Sequence, residues 1–163
     1  MPPPAKGDRL PPADHALRYI RKKDVDKDTN AVNGSGFLTR PGEDAPSSNW
    51  LECFPAPLAN QLAEIRVRKR FRYEKRGKLV RLNVLQTEQH IRDNLRAAAG
   101  HLTPTITEVQ FVHDPLEGDD NYLADPSHAL ANGTPEIGGG PEAELIGDLF
   151  LDCILETVDV TPD

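Results

Sequence analysis

The residues best suited to hold a ligand form a basic segment over residues 66–81. It contains nine lysines and arginines against one acid, Glu74, for a formal charge of +8, whereas the whole chain carries −7. Two aromatic residues interrupt the basic run, and alternating cationic and aromatic side chains are typical of surfaces that hold phosphates and stack on bases. The predicted binding residues are Arg66, Arg68, Lys69, Arg70, Phe71, Arg72, Tyr73, Lys75 and Arg76.

Three interpretations of this basic segment stay open. It could be a solvated helix face that the chain's own acids neutralise, a nucleic-acid site, or a site for an acidic protein partner. Residues 141–163 hold seven acids and no base, and the sequence pI of about 5.2 excludes a uniformly basic nucleic-acid coat protein. We therefore expect a small non-enzymatic binding protein that engages a polyanion such as nucleic acid, or an acidic partner.

Other chemistry has weaker support in the sequence. Histidines and aspartates lie within residues 113–128, but without the close His/Cys spacing of a metal site, so no metal and no cofactor is predicted. Cys53 and Cys153 lie among apolar residues and are predicted core positions. Ser47-Ser48 and Ser127-His128 lack the glycine-flanked elbow of a nucleophilic serine. The sequence thus argues against acyl transfer and predicts no catalytic residue.

One enzymatic alternative rests on residues outside the basic segment. Arg18 and Tyr19 lie on a predicted first strand, Phe37 on a second, and the Ser47-Ser48 pair follows. Over about forty residues this arrangement resembles small ADP-ribosyltransferase-like toxins. The resemblance implies a toxin or effector enzyme acting on NAD, with a nicotinamide site built from a first-strand basic residue, a hydroxyl and an acid. Glu52 would be that acid.

Hydrophobic periodicity gives the elements that must position these residues. It predicts strands over 17–25, 36–40, 78–85 and 105–113, and helices over 57–76, 87–99 and 141–158. Thr87 is the predicted N-cap of the second helix, and a helical turn is predicted at 125–130. The order β-β-α-β-α-β-α indicates an α+β or α/β fold, with a single small sheet packed by about three helices.

The two ends of the chain differ in character. Residues 1–13 hold five prolines and are predicted to be a disordered arm, ahead of a single domain over 14–163. A long acidic loop, 114–140, precedes the amphipathic C-terminal helix at 141–158. The chain's own sheet is expected to cover that helix, with a homo-oligomer as the alternative. The apolar stripe that must be covered is Leu145, Ile146, Leu149, Phe150, Cys153 and Ile154.

The sequence also indicates a compartment. Its longest apolar runs are far shorter than the roughly 20 residues that span a bilayer, and the proline-rich start has no apolar signal region. Two cysteines do not form a disulfide framework. We therefore expect a soluble cytoplasmic protein with reduced thiols and no membrane partner.

Overall fold

Six strands form one antiparallel sheet in the computed structural model, which describes residues 3–100 and 108–163. The strands are β1 His15–Ile20, β2 Ser47–Trp50, β3 Lys78–Asn83, β4 Gln110–His113, β5 His128–Asn132 and β6 Ile154–Asp159. The helices are α1 Leu58–Arg68, α2 Val84–Ala98 and α3 Pro141–Asp152. Within the sheet the strands run β4-β5-β2-β1-β3-β6. The predicted α+β class is confirmed, with one sheet and three helices over the described residues.

Side-chain alternation along β1 gives the sheet two buried faces. Ala16 and Ile20 belong to the larger core cluster, which α2 and α3 also supply. Leu17 and Tyr19 point the other way, into a smaller cluster shared with α1. Arg18 lies between Ala16 and Ile20 in sequence and is itself buried. A charged side chain therefore takes up a position that the period of two assigns to the larger core.

The predicted helix over 57–76 is too long, because α1 ends at Arg68. Lys69 has extended backbone angles, φ −60° and ψ 145°, so the helix cannot continue through it. The rings of Phe71 and Tyr73 instead pack against Tyr19, with centroids 4.9 Å and 5.2 Å from it. The basic segment is consequently a helix end, an irregular stretch and the start of β3.

The predicted strand at 36–40 is wrong. Residues Gly34–Phe37 form a 3₁₀ turn, and the Phe37 ring stacks on Phe150 of α3 with centroids 5.0 Å apart. The second strand is β2, which begins at residue 47. The first strand is also shorter than the predicted 17–25, since a second 3₁₀ turn occupies Lys22–Asp24. Contacts with α3 thus override local strand propensity here.

The central elements lie close to their predicted positions. β3 falls within the predicted 78–85. Helix α2 begins at Val84, earlier than the predicted 87, because the Asn83 side chain caps it by accepting from the Gln86 amide at 2.8 Å. Thr87 lies inside the helix, where its hydroxyl donates to the Asn83 carbonyl. The strand predicted over 105–113 is described from residue 110, and residues 105–107 lie outside the described residues.

The C-terminal third differs most from the prediction. The predicted acidic loop at 114–140 contains β5, and its predicted helical turn at 125–130 overlaps this strand, which pairs with β2 and β4. The helix predicted over 141–158 ends at Asp152, and β6 follows it and pairs with β3. Ile146, Leu149 and Phe150 of α3 are buried in the larger core. The chain's own core therefore covers the apolar stripe of α3. A homo-oligomer formed through this helix stays a prediction.

The arm predicted to be disordered is held against the sheet over its described residues. The Gly7 amide donates to the His113 carbonyl at 2.7 Å, and the Leu10 amide to the Phe111 carbonyl at 2.9 Å. Leu10 itself is only 2% exposed. These bonds extend the β4 edge, where free backbone groups would otherwise need partners.

Candidate functional site

A pocket of about 190 Å³ opens where β1 and β2 part. The ladder between these strands contains two residue pairs, whereas the ladder between β1 and β3 contains six. Beyond the short ladder, Arg18 bridges the gap, donating from Nη1 to the Ser47 carbonyl at 2.7 Å and from Nε to the Gly36 carbonyl at 3.0 Å. The strands therefore leave an opening whose floor is a guanidinium group.

The walls of this pocket are mainly cationic. They carry two acidic side chains, Glu43 and Asp125. Asp125 is fully engaged, since it accepts from the Asn49 amide group and from the Ser127 hydroxyl. The basic side chains come from β1 and the turn after it, from the loop before β2, and from the end of α1: Arg18, Arg21, Arg40, Arg68, Lys69 and Arg70.

Two of these arginines are buried without full hydrogen bonding. Arg18 and Arg40 are 6% and 8% exposed. Among the described residues, Nη2 of Arg18 and both Nε and Nη2 of Arg40 lack an acceptor. The Arg40 Nη2 atom lies 3.6 Å from the Asp24 carboxylate, beyond hydrogen-bond distance. Buried charged donors without acceptors are costly, so this arrangement favours an anionic ligand.

Electrostatics reinforce that preference. Burial, and next the neighbouring Arg40 charge, lower the pKa of Arg18 to about 10. Burial and then the charge of Arg21 also lower the pKa of Arg40. The Arg18 guanidinium is still charged at neutral pH, and an anion between these groups would offset both the desolvation and the mutual repulsion.

An aromatic surface lines one side of the pocket. Phe71 is 44% exposed and stacks on Tyr19, and both rings belong to the pocket wall. Tyr73, the other aromatic residue predicted to bind, is buried at 4% exposure, and burial raises its pKa to about 12. Tyr73 is therefore a core residue, and the stacking surface is Phe71.

The structure divides the predicted binding residues into two groups. Four of them line the pocket: Arg68, Lys69, Arg70 and Phe71. The other five do not line it: Arg66, Arg72, Tyr73, Lys75 and Arg76.

Much of the basic segment is neutralised within the chain. Arg66 and Lys69 both pair with Asp163, and Arg68 pairs with Glu64 at 2.6 Å. The ion pairs between β3 and β6 continue the pattern, because Lys78 contacts Asp159. This is the intramolecular neutralisation that was one of the three open interpretations. Arg70, by contrast, donates to a carbonyl oxygen and to no carboxylate of the described residues.

Some residues of the enzymatic alternative line the pocket and others do not. Arg18 and Tyr19 line the pocket together with Ser47 and Ser48. Phe37 is a core residue stacked in the larger cluster. Glu52 does not line the pocket; it accepts from the backbone amide of His15 at 2.8 Å. The acid that the resemblance assigned is therefore in the wrong place.

Sequence reasoning missed Arg40 and Arg21 as pocket residues. They are distant in sequence from the basic segment, and only the fold brings the two groups together. A usable signal was present for Arg18, because it interrupts an alternating apolar face between Ala16 and Ile20. A charge on a core face needs a partner, and here the Nη2 group of Arg18 has no acceptor among the described residues.

No family model matches the chain, and comparison with curated proteins and with solved structures also found no match. Within residues 3–100 and 108–163, no group of three or more His, Cys, Asp or Glu side chains is arranged to hold a metal ion. In the same ranges, no helix has the length and apolar character needed to cross a membrane. Cys53 and Cys153 are both free thiols.

Proposed function

We propose that the chain binds a small phosphate-bearing ligand in the pocket between β1 and β2. The observation that carries this proposal is the pair of buried arginines, Arg18 and Arg40, whose guanidinium groups retain donors that have no acceptor among the described residues. Guanidinium groups match the oxygens of phosphate in geometry and charge. Arg70, which also lines the pocket, adds Nε as a further buried donor without an acceptor among the described residues.

The dimensions of the pocket favour a small ligand or the anionic end of a larger one. Its volume of about 190 Å³ is below the roughly 300–1,000 Å³ of sites for drug-sized molecules. The half-exposed ring of Phe71 lies in the wall, where it can stack on a planar group attached to the phosphate. Of the binding residues predicted from sequence, this proposal keeps only the stretch Arg68–Phe71. It places the protein in the cytoplasm, as the sequence predicts.

Matched substitutions within the basic segment test this proposal. Arg70 lines the pocket, whereas Arg72 lies exposed two residues away and does not. We expect Arg70→Ala to weaken binding of inorganic phosphate and pyrophosphate by about 10-fold or more, the effect of one charge-assisted hydrogen bond. Arg72→Ala should leave that affinity unchanged. Isothermal titration calorimetry at fixed ionic strength measures both.

Nucleic acid or an acidic partner would give a different pattern. A polyanion lying across the segment neutralises exposed charges additively, so Arg70→Ala and Arg72→Ala would weaken it to similar extents. Titration of a single-stranded oligonucleotide against both variants decides between the pocket and the surface. Equal losses with the oligonucleotide, and no phosphate binding by the wild-type chain, would contradict the pocket proposal.

NAD metabolism is the second candidate, because Arg18, Tyr19, Ser47 and Ser48 of the toxin resemblance all line one pocket. NAD carries a diphosphate that suits the arginines. Incubation of the purified chain with NAD, followed by chromatographic assay of released nicotinamide, tests this candidate. Release that Arg18→Ala abolishes would favour it, and intact NAD would remove it while leaving phosphate binding in place.

A further inference from the structure

Two residues of the pocket wall, Ser47 and His128, are hydrogen-bonded to each other, and Asp114, which lies outside the wall, contacts the same imidazole. Ser47 opens β2 and His128 opens β5, and the register Asn49↔His128 puts Ser47 and His128 on the same face of the sheet. The Nε2 atom of His128 lies 3.2 Å from the Ser47 hydroxyl oxygen. Asp114 follows β4, and its carboxylate oxygen Oδ2 lies 3.2 Å from Nδ1 of the same imidazole.

The contacts of Nδ1 determine the tautomer of the neutral His128 ring. Nδ1 faces two acceptors, the Asp114 carbonyl oxygen at 2.9 Å and the Asp114 carboxylate. These contacts favour the tautomer with the ring proton on Nδ1, in which Nε2 presents its lone pair to the Ser47 hydroxyl. The distances fall within the range for a nucleophile, its base and the group that orients the base.

The other serines of the pocket region are not equivalent to Ser47. The Ser127 hydroxyl donates to Asp125, so its proton is already engaged with a carboxylate. The Ser48 side chain points to the opposite face from Ser47 along β2 and is buried at 4% exposure. The chain of contacts thus selects Ser47.

We propose that Ser47 is the nucleophile of an esterase reaction on a carboxylic ester that carries an anionic group. His128 is the general base, and Asp114 is a positioning residue that holds the imidazole. The inference rests on the proposed function, because the arginines must hold the anionic group while the ester lies at Ser47. It also reverses the sequence-based exclusion of acyl transfer, which was argued from the absence of a glycine-flanked elbow.

The reaction balances with water as the only co-reactant. The Ser47 oxygen bonds to the ester carbonyl carbon while its proton passes to Nε2 of His128. The cationic side chains that line the pocket, Lys69 and Arg70 among them, offset the charge of the oxyanion. The alcohol then leaves with the proton from Nε2. Water repeats the cycle on the acyl-serine and releases the carboxylic acid.

Covalent labelling and hydrolysis test this together. A fluorophosphonate probe should label the wild-type chain at Ser47, one of four serines, as located by peptide mass spectrometry. The mono-p-nitrophenyl ester of succinate, which is anionic, should be hydrolysed faster than neutral p-nitrophenyl butyrate. Ser47→Ala and His128→Asn should each reduce hydrolysis by about 100-fold or more, the usual contribution of a general base.

A second histidine provides the matched control. His90 also contacts an aspartate, Asp152, at 3.0 Å but lies outside the pocket, so His90→Asn should leave labelling and hydrolysis unchanged. Asp114→Asn should lower kcat and leave KM within about two-fold, as expected when only the orientation of the base is lost.

The outcomes separate this inference from the proposed function. Phosphate binding by a wild-type chain that neither labels nor hydrolyses, or hydrolysis that Ser47→Ala leaves intact, would overturn the esterase and leave the anion pocket standing. Labelling at Ser47 together with equal hydrolysis rates for the two esters would overturn the inference that the substrate is anionic. Ser47→Ala must retain phosphate binding, which shows that the variant is folded.

Discussion

The guanidinium group of Arg18 makes two hydrogen bonds within the chain and has one nitrogen without an acceptor among the described residues. Its Nε and Nη1 atoms are committed to the Gly36 and Ser47 carbonyls, so the plane of the group is fixed before any ligand arrives. The remaining group, Nη2, is the buried nitrogen without an acceptor among the described residues. A ligand that bound this guanidinium would not have to immobilise a long, mobile side chain.

Asp163 holds one residue of the pocket wall, Lys69, in place. Its carboxylate accepts from Lys69 and from the Tyr73 backbone amide, and it pairs with Arg66. The hydrogen bond from Lys69 is the main cause, and that from the Tyr73 amide the next, of a pKa below the ordinary 3.8. The charged form is thus the one that the fold stabilises.

We expect Asp163→Asn to lower the melting temperature at neutral pH. The sign of the pH dependence follows from the lowered pKa: the contribution is complete above 3.8 and disappears as the pH falls through the native value. Thermal melts of both proteins should therefore differ at pH 7 and converge in strongly acidic buffer. Asp148→Asn, at an exposed position of α3, is the control and should follow the wild-type curve throughout. A difference that persists in acid would contradict the electrostatic role.

At the scale of elements, the backbone of α3 touches the 3₁₀ turn Gly34–Phe37. Two glycines make this approach possible. A Cβ added to Gly147 would lie 2.9 Å from the Gly34 carbonyl oxygen, and one added to Gly34 would lie 2.7 Å from the Gly147 carbonyl carbon. Both contacts are with backbone atoms, which cannot rotate away as a side chain would.

Gly147→Ala should therefore destabilise the protein although alanine favours helices. Helix propensity would stabilise by about 1 kcal/mol, whereas overpacking costs about 1–3 kcal/mol. We expect a net loss of about 1 kcal/mol in the free energy of unfolding, measured by urea denaturation. Gly100→Ala is the control, since a Cβ there meets no atom of the described residues within 4 Å, and it should be neutral or stabilising. Increased stability of Gly147→Ala would show that α3 can move off the turn.

The elements that the sequence predicts best are those whose own residues supply the signal. Strand β3 and helix α2 carry apolar side chains at regular spacing, and both were placed within a few residues. Strand β2 could not be found this way, because its sequence Ser-Ser-Asn-Trp is polar and its pairing with β1 and β5 is what makes it a strand. Strand β6 directly follows α3, so its apolar residues extend the helical stripe in sequence.

The same distinction applies to the candidate site. The stretch Arg68–Phe71 was predicted from local charge and aromatic content, and it lines the pocket. Arg40 and His128 line the same pocket only because of the fold, and no local pattern encodes that arrangement. The Ser47–His128 contact joins residues 81 positions apart. Long-range pairing therefore assembles the candidate site, which residue types alone left undecided.

At the scale of the whole molecule, the N-terminal arm completes the sheet. Arg9 pairs with the buried Glu88 of α2 at 2.6 Å, and Glu88 in turn accepts from the Phe111 amide at 2.8 Å. Leu10 lies in the larger core between these contacts. The arm thus ties α2 to β4 as well as covering the edge of the sheet.

Leu10→Ala should lower the free energy of unfolding by roughly 2–5 kcal/mol, the usual cost of truncating a buried leucine. Pro3→Ala, at an exposed position of the same arm, should cause no measurable change. Guanidinium denaturation of the two variants measures the difference. If Leu10→Ala has the stability of the wild type, the arm does not dock in solution and residues 1–13 behave as the sequence composition predicted.

The short ladder between β1 and β2 divides the sheet into two halves, which differ in the length of their hydrogen-bonded ladders. On one side β1, β3 and β6 are joined by long ladders, and on the other β2, β5 and β4 are joined by shorter ones. The pocket draws Arg18 from the first half and Ser47 with His128 from the second. A bound ligand would therefore contact both halves and hold β1 and β2 together. Backbone amide hydrogens of β1 and β2 would then exchange with solvent more slowly when the pocket is occupied, so hydrogen exchange would report ligand binding.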